Sequence, residues 1–304
     1  MAERAKTVRG DGRRAPDGAQ WHPYLGAHMS IAGGAHHALE DAARYRSGAV
    51  QLFTKSNNQW AAKPLTDEAV ETFQRTDREL GPFEKAAHDS YLINLASPDP
   101  ALHRKSLDAF IEEIERCEAL GVPRLVFHPG AHMGEGEQAG IDRVAGAVRE
   151  ALDATPGYRT KLLFENTAGQ GTTLGRRLEE LAQMLERVGA PDRTAVCLDT
   201  CHLFAAGYEL RTEEGYARTR RAIARTIGLK TVQWWHVNDS KRELGSRVDR
   251  HDHIGKGKIK AAGFRFVLTD PAFRRVPMVL ETPKEDDADR RNIALLRRLS
   301  RLPA

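Results

Sequence analysis

The side chains in this sequence best suited to chemistry are histidines and carboxylates that close short apolar runs. His28, His88, His128, Glu165, Asp199, His236 and Glu281 each end such a run. Asp199 and His202 stand three apart in Asp199-Thr200-Cys201-His202, where one element straddling a strand end can offer both. Asp249 and His251 alternate in Val248-Asp249-Arg250-His251, which an extended loop would turn to one side. Imidazole and carboxylate together suit zinc, manganese or iron, and the cysteines are not grouped as a structural Cys₄ site. A lone histidine at a strand end could do no more than hydrogen-bond a carbonyl. His88, His128, Glu165, Asp199, His202, His236, Asp249, His251 and Glu281 make nine ligand-type residues, too many for one ion and suited to three. Cys197 and Cys201 share a metal-like spacing but read as buried apolar packing. Ser30, Ser90 and Gly169-Gln170-Gly171 carry no nucleophile partner or phosphate-loop pattern.

These residues need elements to bring them together. Apolar runs read as strands at Tyr24–His28, Ala49–Phe53, Lys85–His88, Arg124–His128, Lys161–Glu165, Thr194–Asp199, Val232–His236 and Pro277–Glu281, eight in all. Helical spacing fills the gaps at Leu39–Arg46, Thr66–Leu80, His103–Leu120, Ile141–Ala154, Arg176–Val188, Thr212–Ile227 and Asp287–Leu299. Thr66 ahead of Asp67 and Glu68 signals a helix start, and Gly121 ahead of Pro123 a stop. This alternation predicts an α/β fold, a (β/α)₈ TIM barrel, with a doubly wound sheet as the alternative. In a barrel the strand ends converge on one mouth, which accounts for seven of the eight runs ending in His, Asp or Glu.

Composition narrows the setting. The 304 residues are 40% hydrophobic and 29% charged, which excludes a disordered or fibrous chain. No apolar run approaches the roughly 18 residues that would span a bilayer, so no membrane partner is expected. Residues 1–20 are polar and basic and read as a flexible N-terminal extension; residues 21–304 read as a single catalytic domain. Three cysteines without an apolar export signal imply a reducing cytoplasm. The net charge of +4 allows a polyanionic partner without requiring one.

From about Leu25 to Glu281 the chain resembles the endonuclease IV family of apurinic/apyrimidinic endonucleases. The resemblance is carried by Gly26-Ala27-His28, Phe53-Thr54-Lys55, the stretch His88 to Leu95, Phe127-His128-Pro129-Gly130, the stretch Glu165 to Gly171, Asp199-Thr200-Cys201-His202, His236-Val237-Asn238-Asp239, the stretch Ser246 to His251, and Leu280-Glu281-Thr282. It implies a TIM barrel with three zinc ions, manganese being a substitute. By carry-over His88, His128 and Glu165 hold the first ion. Glu165 bridges to a second held by Asp199, His236 and Glu281, and His202, Asp249 and His251 take the third. His28 ends a strand without being a family ligand, and supports the pocket instead. The implied reaction is hydrolysis of duplex DNA 5′ to an abasic site, with 3′-end trimming as a further activity and Glu165 as the catalytic carboxylate.

The same resemblance implies DNA contacts from Tyr91 and Leu92 as a wedge and from the basic loop after His236: Lys241, Arg242, Arg247, Arg250, Lys256 and Lys258. One departure stands out: some relatives carry a wedging Arg where Asn58 stands here. A monomer is expected. Two rivals are a divalent-metal sugar isomerase or epimerase on the same barrel and a non-catalytic lesion-binding protein. The first leaves Asp249, His251 and the basic loop without a task, and the second leaves all nine ligands unexplained.

Overall fold

A computed structural model describes residues 21–285 and 287–301. The basic segment 1–20 lies outside these residues. Strands β1 (Leu25–His28), β2 (Ala49–Phe53), β3 (Glu84–His88), β4 (Arg124–Phe127), β5 (Lys161–Glu165), β6 (Thr194–Asp199) and β7 (Val232–His236) form in chain order. A two-residue ribbon, β8 (Asp239–Ser240) with β9 (His251–Asp252), precedes β10 (Met278–Leu280). The barrel closes in the order β1-β10-β7-β6-β5-β4-β3-β2, every neighbour parallel, so the TIM-barrel expectation holds and the open sheet does not.

The helices are α1 (His36–Arg44), α2 (Asp67–Leu80), α3 (Pro100–Leu120), α4 (Glu137–Ala154), α5 (Leu178–Val188), α6 (Thr200–Ala206), α7 (Glu213–Thr226), α8 (Lys260–Thr269) and α9 (Ala288–Leu299). Thr66 caps α2 by accepting the Ala69 N–H, and Gly121, with φ +72°, ends α3 as its position before Pro123 predicts. α6 and α8 are not among the expected helices. α6 is short and starts directly after the last residue of β6, with Asp199 as its cap. α8 carries Gly263 packed against the Leu210 carbonyl, which weakens its helical signal. None of the described helices is long and apolar enough to cross a membrane.

The barrel wall divides the apolar residues by strand period. Leu162 and Phe164 of β5 face outward into the layer beneath the helices, where each fully buried large side chain contributes about 1.5–3 kcal/mol. The inward set is smaller: Ala49, Ala86, Val126, Leu163, Ala195, Cys197, Trp234 and Val279. Two residues further along each strand, on the same face, come Gln51, His88, His128, Glu165, Asp199, His236 and Glu281. The inner plug is therefore the floor of the mouth. Gly26 of β1 is required by close approach, since a Cβ there would lie 1.7 Å from the Ala49 carbonyl oxygen.

Candidate metal centre

β4 and β10 stop one residue short of His128 and Glu281, so these two project from the first loop position rather than from the strand. The other strand-end candidates are the final residues of their strands. Asp249 and His251 come from the loop after β7, His251 opening β9 against Ser240. Asp239 anchors this loop: its carboxylate accepts the backbone N–H groups of Ser240, Gly255, Gly257 and Ile259 at 2.8–3.0 Å. A Cβ on Gly257 would fall 2.5 Å from Asp239 Oδ1, so only glycine lets the loop close so tightly on that carboxylate.

Glu165 is the centre of the arrangement and is fully buried. His88 Nε2 and His128 Nε2 lie 3.1 and 3.3 Å from its Oε2, while His236 Nδ1 and His202 Nδ1 lie 2.9 and 3.2 Å from its Oε1. His236 Nδ1 is also 3.2 Å from Glu281 and 4.0 Å from Asp199. On the far side, Asp249 bridges His202 Nε2 at 3.1 Å and His251 Nε2 at 3.2 Å. The nine expected ligands thus meet at one mouth. In the groups His88, His128, Glu165 and His202, Asp249, His251, the donor atoms all lie within 4.8 Å of one another, close enough to share an ion.

The ring orientations suit metal binding. His88, His202 and His251 each donate Nδ1–H to a backbone carbonyl, of Asp89, Asn166 and Glu281, at 2.9, 2.8 and 3.1 Å. That leaves their Nε2 lone pairs aimed at the carboxylates, the arrangement metal-binding histidines adopt. His251 Nε2 is buried without a hydrogen-bond partner although Asp249 and Asp199 lie 3.2 and 3.7 Å away, a donor suited to a cation between them.

The electrostatics point the same way. Burial alone would lower His88, His202 and His236, yet all are raised, by Asp89 and Glu165, by Asp199 and Asp249, and by Glu165 and Glu281 respectively. His251 is raised to about 9, Asp199 and Asp249 overcoming its burial. Burial alone would raise Glu165, but His236, His128 and His202 hold it well below the ordinary carboxylate range. Positive charge is what this mouth attracts. His28 differs: burial lowers it despite Glu281 at 3.3 Å.

The thiols of Cys197 and Cys201 also come within reach of ligand groups, with Glu165 and His236 and with Asp199 and His251. Burial raises both pKa values, that of Cys201 to about 12, and Cys197 belongs to the inner apolar plug. Both thiols are buried, which accords with the packing role expected of them.

At the rim, Tyr91 is 61% exposed yet its ring lies 5.9 Å from that of His88. Leu92 is half-buried and Asn58 exposed. Ser90 donates to the Asn57 carbonyl at 2.8 Å, tying the Asn58 loop to the Tyr91–Leu92 turn. Arg247 and Arg250 are exposed on either side of Asp249. A cavity of about 270 Å³ opens beside the expected ligands, lined by His128, Gly130, Thr167, Gln170, His202 and Asp249 among others.

Sequence reasoning gives no role to three amides. Asn166 accepts the Asp199 N–H at 2.6 Å. Asn238 donates to Asp199 Oδ2 at 2.6 Å and accepts the Glu281 N–H at 2.7 Å. Gln51, fully buried on β2, touches His28, His236 and Glu281. Asn166 and Asn238 each follow an expected ligand closely in sequence, and Gln51 is a polar residue inside an apolar run; those are the available signals.

Comparison with known proteins supplies the remaining context. The family model described as a xylose isomerase-like TIM barrel matches residues 39–299. The chain is 48% identical to the "Probable endonuclease 4" of Chloroflexus aggregans, over 93% of this chain and 99% of that one. It is 49% identical to that of Geobacter sulfurreducens, over 91% and 95%. The crystal structure of endonuclease IV from Thermus thermophilus superposes with a TM-score of 0.82 at 37% identity, over 91% of this chain and 98% of that one. A D-tagatose 3-epimerase-like protein, at 15% identity and a TM-score of 0.68, shares the fold alone. With close to half of its residues identical to the endonuclease 4 proteins over nearly its whole length, and only a common scaffold with the epimerase-like protein, the chain belongs to the endonuclease IV family.

Proposed function

We propose that this chain is a DNA-repair endonuclease that hydrolyses duplex DNA on the 5′ side of an abasic site, leaving a 3′-hydroxyl, with a three-zinc centre at the barrel mouth. His88, His128 and Glu165 would hold one ion, Glu165 with Asp199, His236 and Glu281 a second, and His202, Asp249 and His251 a third. Zinc, when bound, lowers the pKa of water toward neutrality and neutralises charge on phosphate oxygens; manganese could substitute. Everything else falls to the chain. Glu165 is held ionised by its histidines and is shared by the first two groups. The carbonyl bonds at Nδ1 of His88, His202 and His251 orient the rings in advance, so no reorganisation is needed when DNA arrives.

A recessed mouth cannot reach a phosphate beside a stacked nucleotide, so the lesion must leave the helix, at least cost where a base is already missing. Tyr91 and Leu92 stand at the rim to fill that gap, and Arg247 and Arg250 to meet phosphates. Asn58 is too short to serve as a cationic wedge. Trimming of blocked 3′ ends uses the same centre. The catalytic domain is residues 21–304, working as a monomer in the bacterial cytoplasm where its substrate lies.

The observation that carries this reading is the convergence of nine ligand-type residues, Glu165 among them, on one barrel mouth in a chain of this family. It is tested by nicking of a duplex with one abasic site, with and without chelator, beside elemental analysis. Chelator-sensitive cleavage with about three zinc ions per chain is expected. One ion per chain and no nicking would overturn this reading.

A further inference from the structure

We propose that Gln51 is a positioning residue that decides which ring nitrogen of His236 faces the carboxylates and holds Glu281 beside it. The inference rests on the metal reading above. His88, His202 and His251 owe their orientation to backbone carbonyls that accept Nδ1–H. His236 is turned the other way. Its Nδ1 points at Glu165 and Glu281, at 2.9 and 3.2 Å, and its Nε2 lies 2.8 Å from Gln51 Oε1. An amide oxygen only accepts, so Nε2 carries the proton and Nδ1 keeps the lone pair. A side chain here does what the main chain does for the other three.

The amide nitrogen completes the assignment. Its two hydrogens go to Glu281 Oε1 at 2.6 Å and to His28 Nδ1 at 3.0 Å. His28 Nδ1 is then an acceptor and its proton sits on Nε2, the atom that is buried without a partner. His28 is thereby spent on holding the amide, which accounts for a strand-end histidine that belongs to no ligand group. Gln51 is fully buried, and its oxygen and both of its N–H groups are engaged, so it cannot turn over without breaking all three bonds. Position supports the part: two residues beyond Ala49 of the inner plug, Gln51 occupies on β2 the level that His or a carboxylate occupies on the neighbouring strands.

The test uses the full-length protein loaded with zinc. In Gln51→Met, which keeps length and loses every hydrogen bond, one ion should leave at a chelator concentration about ten- to a hundredfold below that for the wild type, the other two being held as before. Elemental analysis at each chelator step counts the ions, and thermal melting of the metal-free proteins reports the fold. A Gln51→Met protein as retentive as wild type overturns the inference alone. Loss of all ions together with a lowered melting temperature also overturns it, since that is general loosening. A wild type that holds no ions removes the metal reading and this inference with it. A second measurement needs no variant: in zinc-loaded wild type with ¹⁵N-labelled histidine, His236 should coordinate through Nδ1 and keep its proton on Nε2. Coordination through Nε2 overturns the proposal.

Discussion

The two ends of the barrel treat the same residue in opposite ways. At the base, His22 is buried, donates Nε2–H to the Phe273 carbonyl at 3.0 Å and accepts the Tyr24 N–H on Nδ1 at 3.3 Å. No carboxylate among the described residues pairs with it, and burial lowers its pKa to about 4. At the mouth His88, His202 and His236 are equally buried, yet their carboxylates raise them. Burial pushes both ends the same way, so it does not distinguish a mouth histidine from a packing group. The neighbouring carboxylates do.

The sharpest break of this contrast is at Glu165. Glu165→Gln keeps the shape and removes the charge that four histidines share, so cleavage should fall on the order of 10³-fold or more while DNA affinity stays within about tenfold. Nicking rates and gel-shift titrations check this; equal losses would erase the separation of chemistry from binding. Next is Tyr91→Ala, expected to lower abasic-site cleavage about tenfold or more with an unchanged melting temperature, against a fewfold effect for Asn58→Ala. The reverse ranking would move the wedge to the Asn58 loop.

His22 supplies the complementary case, a histidine whose loss touches stability alone. Its folded pKa, about 4, lies below the unfolded value near 6.5, so the unfolded chain takes the proton first. Its contribution is complete above pH 6.5 and is lost as pH falls toward 4, amounting to about 2 kcal/mol at pH 5. Denaturant melts of wild type and His22→Gln at pH 7 and 5 should show the variant losing less on acidification, with metal content unchanged. The smallest effect is expected for Cys197→Ala: roughly 1 kcal/mol of stability from a thinner inner plug, with every ion retained. Loss of an ion would make that thiol a ligand after all.

Much of the site is legible in the sequence because strand period and strand end coincide. On β3, β5, β6 and β7 the last residue of the run is also the inward one, so reading run ends finds His88, Glu165, Asp199 and His236. On β2 the run continues two residues past the site level to Phe53, and the same reading therefore passes over Gln51. Asn166 and Asn238 are visible in sequence, but their partners lie across strands, 33 to 43 residues away. Asp239 is equally opaque: the loop that donates to it is built from glycines and backbone N–H groups that have no sequence pattern of their own.

The strand order has a consequence for how such an enzyme comes into being. β10, the last strand in chain order among the described residues, is the one that seals β7 to β1, and Glu281 follows directly behind it. Until it seats, the ring is open, Gln51 lacks one of its partners and His236 faces an incomplete set of carboxylates. A chain emerging from the ribosome thus exposes histidines long before it owns a hydrolytic centre. Closing the ring therefore completes the strand wall and the carboxylate set around His236 together.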